Sequence, residues 1–320
     1  MKTKQFLMRS VVAVAFAAFV MTGCKKKSDD VTPDTTEEKA VNTNNAADQS
    51  NVDQQSNESM DDVNSVLNNN MDTRDYQLPC NITVDSAALK NQGLIKITYH
   101  GLSCDGLRKR EGVISIQLPF ANGKFTRWNE KGAKVIVTYN NYKVTRVADN
   151  KSITFNGSIT MTNVNGGGVL VLLSGQPIIH SVRGGMVITF DDGTTREWVV
   201  ARKRSYVLSV LGVLTVTEAG DTTLNGVPKT AYWGKNRAGD QFSVSVPTEV
   251  VTNVFGGMPC RLYKPVPGVV VITANSKQLT ITYGVDSNGT PVTGALDCPY
   301  GYKLNWTDAN GAAQQLVVKY

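Results

Sequence analysis

From residue 76 to its end the chain alternates apolar and polar residues with a period of two, and that restricts it to strands. Segments such as "LIKITYH", "GVISIQL", "AKVIVTY", "SITFNGSITMTNV", "REWVVA", "QFSVSV" and "QLTITYG" place branched and aromatic residues on every second position. Such a pattern puts one face of each segment against a core. Turn-formers separate them: Ala121-Asn122-Gly123, Asn165 to Gly168, Asp191-Asp192-Gly193, Asn288-Gly289 and Asn310-Gly311. Glycine and asparagine accept the backbone angles that tight reversals need. Many short strands, frequent turns and no long helical periodicity predict an all-β fold, an antiparallel sandwich or an extended β-meander, over residues 76–320.

Upstream the texture differs. Residues 24–75 are rich in Asn, Asp, Gln, Ser and Thr, with almost no aromatics. Such a segment cannot bury enough apolar surface to offset its ordering entropy, so a disordered, flexible tether is expected. One short helix is expected near residues 59–71, where Met60, Val63, Val66 and Leu67 recur at helical spacing behind Ser59 as a possible cap. Residues 1–23 have the form of a signal peptide, with Lys2, Lys4 and Arg9 before the apolar run Val11 to Met21. That run is shorter than the roughly 20 residues a spanning helix needs.

Met21-Thr22-Gly23-Cys24 resembles the lipobox of bacterial lipoproteins, with Met21 where leucine is usual. The resemblance implies that Cys24 becomes the amino terminus and carries a diacylglyceryl thioether and an amide-linked acyl chain of palmitate type. Several acyl chains, at about 0.8 kcal/mol per buried methylene, would make the anchor effectively permanent. Lys25 stands where an aspartate would signal inner-membrane retention, so the outer membrane is expected. "KKKSDD" further resembles the tracts that send lipoproteins of Bacteroidota-type bacteria to the cell exterior.

The full chain carries +6. Removing Lys2, Lys4 and Arg9 with the leader leaves 30 basic against 27 acidic residues, or +3. No nucleic-acid partner is expected from that balance. The runs Arg108-Lys109-Arg110 and Arg202-Lys203-Arg204 read as solvated strand ends.

Four cysteines remain beyond Cys24, and counting alone leaves three pairings. An internal repeat separates them. "LPCNITVDS" and "LIKITYHGLSC" are echoed by "MPCRLYKPVPG" and "QLTITYGVDSNGTPVTGALDC", giving two related hairpin halves at about 78–118 and 258–307. Cys80 and Cys104 are symmetric about Asn91-Gln92-Gly93, and Cys260 and Cys298 are nearly symmetric about Asn275-Ser276-Lys277. Cross-strand neighbours lie within disulfide reach, so Cys80–Cys104 and Cys260–Cys298 are the favoured disulfides. A zinc site would want closer CxxC spacing and usually histidine; no metal or cofactor is expected. These residues, with "ITYHGLSCDGLRKREGVISIQL", "VIVTYNNYKV", "FNGSITM" and "FDDGTTREWVVARKRSY", resemble a group of β-rich lipoproteins of Bacteroidota-type bacteria. The resemblance covers most of residues 76–320 and implies structure rather than catalysis.

Candidate chemistry is sparse. His100 and His180 are the two histidines, and no H-E-x-x-H, G-x-S-x-G or phosphate-cradling glycine loop occurs. Glu111, Glu130, Glu197, Glu218 and Glu249 are scattered, and the Asp286 and Asp308 motifs read as hairpin turns rather than calcium loops. Asp85-Ser86-Ala87 and Asp221-Thr222-Thr223 resemble the O-glycosylation triplet of exported proteins of Bacteroidota-type bacteria. Alternation at Leu316, Val318 and Tyr320 suits the last strand of a sandwich or of an outer-membrane barrel. Trp128, Trp198, Trp233 and Trp306 could stack on sugars or pack a core. The expectation is therefore a lipid-anchored envelope protein with no catalytic residue assigned, acting as a structural or binding module. Its partners would be the membrane, through the lipid, and a glycan or an envelope protein. A surface glycan-binding lipoprotein using the four tryptophans and a carbohydrate-active hydrolase are the alternatives.

Overall fold

The computed structural model describes residues 35–71, 78–121, 124–209, 212–255, 264–292 and 298–320. The leader, Cys24 and Cys260 lie outside the described residues.

The first element is helix α1, Thr35–Met71, 37 residues long. Strand β1 (Ile82–Asp85), the short helix α2 (Leu89–Gln92), β2 (Leu94–Leu102) and β3 (Arg108–Gln117) follow. Next come a small hairpin, β4 (Phe120–Ala121) and β5 (Lys124–Phe125), then β6 (Ala133–Arg146), β7 (Ser152–Asn163) and helix α3 (Val169–Leu173). The middle of the chain forms β8 (Ile178–Phe190), β9 (Thr195–Leu208), β10 (Leu214–Gly220), β11 (Thr222–Leu224), β12 (Val227–Lys235) and β13 (Gln241–Thr248). The last five strands are β14 (Val250–Phe255), β15 (Gly268–Ala274), β16 (Lys277–Val285), β17 (Gly301–Thr307) and β18 (Ala313–Lys319).

Sixteen of these strands form one open antiparallel sheet, and its main path runs β1-β2-β3-β6-β7-β8-β9-β12-β13-β15-β16-β17-β18. The meander rather than the sandwich is therefore the architecture. Along this path most consecutive strands reverse and pair, while β14 pairs with β10 and the β4–β5 hairpin stands apart. Strands β1 and β2 pair antiparallel, and so do β15 and β16. In β2, Ile97 and Tyr99 point to the core, and so do Ile281 and Tyr283 in β16. The turn of the second hairpin falls at Asn275 and Ser276, both with positive φ.

One irregularity matters below. Strand β9 has two neighbours on the same side: β12 against Val199 and Val200, and β10 against Arg202 to Leu208. The sheet forks there, and β14 continues the β10 branch. Close approach at the fork requires glycine: a Cβ on Gly220 would stand 2.0 Å from the Lys229 carbonyl oxygen.

The expected tether is corrected by α1. Residues 35–71 form a single helix rather than a flexible segment, and Ser59 lies inside it rather than capping a shorter one. Ala46, Gln49, Val52, Ser56, Ser59, Met60, Val63, Val66 and Leu67 are all buried, a stripe at helical spacing. Its apolar members belong to the same core as the inward residues of the strands.

The sheet curls about this helix. Adjacent residues Asp61 and Asp62 bond to Arg204 on β9 and Arg110 on β3. A flat sheet would hold those strands, four steps apart, about 19 Å from one another. Cumulative strand twist brings them to one helix turn. No helix among the described residues is long and apolar enough to cross a membrane.

Candidate functional site

Two features stand out inside the curled sheet: an ionic seam that fastens α1, and the space along the helix's outer side.

The seam is built by strand alternation. In β9, Arg196, Trp198, Val200, Arg202, Arg204 and Tyr206 all point inward while Lys203 points out. Arg202 is 1% exposed. Its Nη1 donates to Glu218 Oε2 at 2.7 Å and to the Tyr232 hydroxyl at 2.5 Å, and its Nη2 donates to Asn57 Oδ1 at 2.5 Å. The Asn57 amide in turn donates to Glu218 Oε1 at 2.6 Å. Arg204 Nη1 and the Tyr206 hydroxyl both donate to Asp61, at 3.0 and 3.2 Å. Arg110 Nη1 and the Tyr99 hydroxyl share Asp62 Oδ2, at 2.7 and 3.0 Å. Arg108 pairs with Glu58 at 3.4 Å, Arg237 with Asp48 at 3.2 Å, and Arg196 donates to Gln49. The Trp128 indole donates to Asn64 at 2.8 Å. One helix thus offers a carboxylate or amide to each inward arginine, and buried charges persist only when paired this way.

Burial leaves its mark on the acids. Asp62 is pushed up to about 7 by desolvation, against the opposing pull of Arg110 and the Tyr99 hydrogen bond. Asp53 is pushed up to about 6 by burial, which Arg202 and the Gln49 hydrogen bond only partly offset. Arg196, held by a neutral amide, is lowered to about 10 by burial.

The runs Arg108-Lys109-Arg110 and Arg202-Lys203-Arg204 are accordingly not solvated strand ends. Only Lys109 and Lys203 are exposed; Arg110, Arg202 and Arg204 are the seam. Sequence reasoning missed this, although the phase that puts Trp198 and Val200 inward already assigns the arginines to the same face.

Alongside the seam lie two connected spaces. A cavity of about 90 Å³ sits at the fork, with an apolar wall that includes Val216, Val246, Val250 and Val270 and with Asp53 and Glu218 on its polar side. It shares Ser50, Gln54, Lys264 and Tyr320 with a wider trough of about 500 Å³. The trough is floored by α1 residues from Asn44 to Gln55. It is flanked on one side by the β6–β7 and β8–β9 turns and on the other by Tyr302, Lys319 and Tyr320. The sheet curls but its path does not close, and β1 and β18 are its ends.

The other expected residues fall as follows. Cys80 and Cys104 form the favoured disulfide, with Cα atoms 5.1 Å apart. Cys298 is also disulfide-bonded. Of the tryptophans, Trp128, Trp198 and Trp306 are buried and Trp233 is half-buried. Trp198 stacks on Tyr232 inside the sheet at 5.0 Å. The expected ligand-binding role of the four tryptophans is corrected on this ground: three are core, leaving no shared aromatic platform. His180 lies between the rings of Trp128 and Tyr206 and is held neutral by burial, with its value lowered to about 3. His100 is exposed and meets Thr83. Glu111 and Glu197 pair with surface lysines, and Glu218 is taken up by the seam. Asp286 and Asp308 accept backbone N–H groups two and four residues ahead, as turn residues do. Among the described residues no three His, Cys, Asp or Glu side chains are grouped to hold a metal.

Comparisons with protein-family models, curated proteins and solved structures found no match to this chain.

Proposed function

We propose that this chain is a lipid-anchored envelope protein, held at the outer membrane through Cys24, whose β domain is a non-enzymatic binding module with the trough along α1 as its site. The observation that carries the reading is the division of labour on the helix. One side of α1 spends its carboxylates and amides on inward arginines. The other side leaves amide and hydroxyl groups facing a space of ligand size. The seam's carboxylates are taken up by arginine, tyrosine and amide partners that fasten α1 to the sheet, which supports a structural role for the seam rather than hydrolysis. A concave space with convergent polar groups is the usual form of a binding site.

The lipid and the binding role are tested separately. Cys24→Ser should release the protein from the membrane fraction, and retention would overturn the anchor. Envelope extracts separated into glycan, lipid and protein fractions would be added to the mature chain while amide hydrogen exchange is followed. A fraction that protects residues 44–58 and 316–320 supports the trough as a site. Exchange unchanged by every fraction would overturn it.

A further inference from the structure

We propose that the trough binds an anionic oligosaccharide, an inference that rests on the trough being the binding site of the module. Three observations converge on that chemistry.

Apart from Asp48, which Arg237 holds, the polar groups of the floor are neutral and both donate and accept. Asn44, Ser50 and Asn51 line the trough, and no side-chain hydrogen bond ties them to the protein among the described residues. Gln54, beside them, bonds only to Glu58 one turn on. An amide presents two donors and an acceptor, and a hydroxyl presents both functions. A row of such groups matches a ligand whose own groups both donate and accept, as sugar hydroxyls do. An apolar ligand would strand them unpaired.

Rings stand at the wall. Tyr302 and Tyr320 lie 5.9 Å apart at 44°, and the Tyr320 hydroxyl is fixed on the Pro265 carbonyl at 2.5 Å. Fixed phenol rings offer apolar faces beside polar edges, which suits the C–H faces of a pyranose.

The rim is cationic. Six basic and three acidic side chains line the trough, and two of the basic ones, Arg108 and Arg146, are paired with Glu58 and Asp149. Two of the lining acids, Asp48 and Asp192, are both held by Arg237. Lys151 and Lys319 are exposed at opposite walls, where no carboxylate pairs with them among the described residues. These two lysines favour negative charge in the trough and raise the association rate of an anion. A nucleic acid would need a longer cationic track than the trough supplies.

The test uses the mature chain in detergent and a panel of tetrasaccharides: polyuronate, sulfated and sialylated, each with an uncharged counterpart of equal length. Titration calorimetry should show at least one charged form binding about tenfold or more tighter than its counterpart, with affinity falling as salt rises. Lys151→Ala combined with Lys319→Ala should weaken the charged form about tenfold or more and leave the uncharged form unchanged. Asn51→Ala combined with Gln54→Ala should weaken both, and circular dichroism checks that each variant folds. Equal binding of charged and uncharged forms, failure of the whole panel, or indifference to the lysine pair would each overturn the inference. If a peptide rather than a sugar protects the trough from exchange, the inference falls and the binding module stands. If a sugar binds and protection lies elsewhere, both fall.

Discussion

Removing Arg202 tests whether the ionic seam holds α1 in the sheet. The guanidinium is 1% exposed and joins three elements at the fork: Glu218 on β10, Tyr232 on β12 and Asn57 on α1. Arg202→Met keeps most of the volume and deletes the charge. Glu218 then keeps Arg204 and Asn57 as partners, but at 13% side-chain exposure it has little water to replace the lost charge. Breaking a buried pair from one side costs about 3–5 kcal/mol, because the surviving charge is uncompensated. At about 2–4 °C per kcal/mol for a domain of this size, the melting temperature should fall by about 6–20 °C. The double variant Arg202→Met with Glu218→Gln leaves no orphaned charge and should recover at least about 2 kcal/mol. Urea unfolding of the mature chain followed by circular dichroism gives both values, and exchange of α1 amides locates the loss. A single-variant cost below about 1 kcal/mol, or a double variant no better than the single, would refute the reasoning.

Asp53→Asn should stabilise the protein at pH 7.5 by about 1–3 kcal/mol and lose its advantage below pH 4. The sign follows from burial: with a folded value raised from 3.8 to about 6, the carboxylate favours folding at low pH and loses that contribution as pH rises through about 6. His180, lowered to about 3, acts oppositely below pH 6.5, so the difference between wild type and variant isolates Asp53; destabilisation at pH 7.5 would contradict the assignment. Replacing Cys80 and Cys104 by serine should cost about 3.5 kcal/mol, the chain-entropy value for a loop of this length, measured by unfolding with and without reductant. Non-reducing peptide mapping should find Cys260 joined to Cys298, and a free Cys260 thiol would break the repeat argument. Iodide should quench only a minor part of the tryptophan fluorescence, because Trp128, Trp198 and Trp306 are buried. Quenching of most of the emission would contradict the core assignment.

The parts of the fold legible in advance are those set by local period. Alternation in "LIKITYH" and "QLTITYG" marks the hairpins, and hairpin symmetry alone pairs Cys80 with Cys104. Alternation also assigns Arg202 and Arg204 to the side of Trp198, though charge alone suggests solvent. Helix α1 was illegible for a related reason. Its buried stripe contains Gln49, Gln55, Ser56 and Ser59, so an apolar moment detects only the last turns, from Met60 to Leu67.

By itself, then, the amino-acid order determined which residues share a strand face, where the chain reverses and which cysteines can meet, because each depends on neighbours a few residues away. The tertiary structure alone decided that a polar segment is helical, since its ordering is offset by arginines far along the chain: Asn57 meets Arg202 across a separation of 145 residues. The trough has the same origin. Residues 44–55 of α1 meet turns and strand ends from positions 108 to 320, which come together only when the sheet curls.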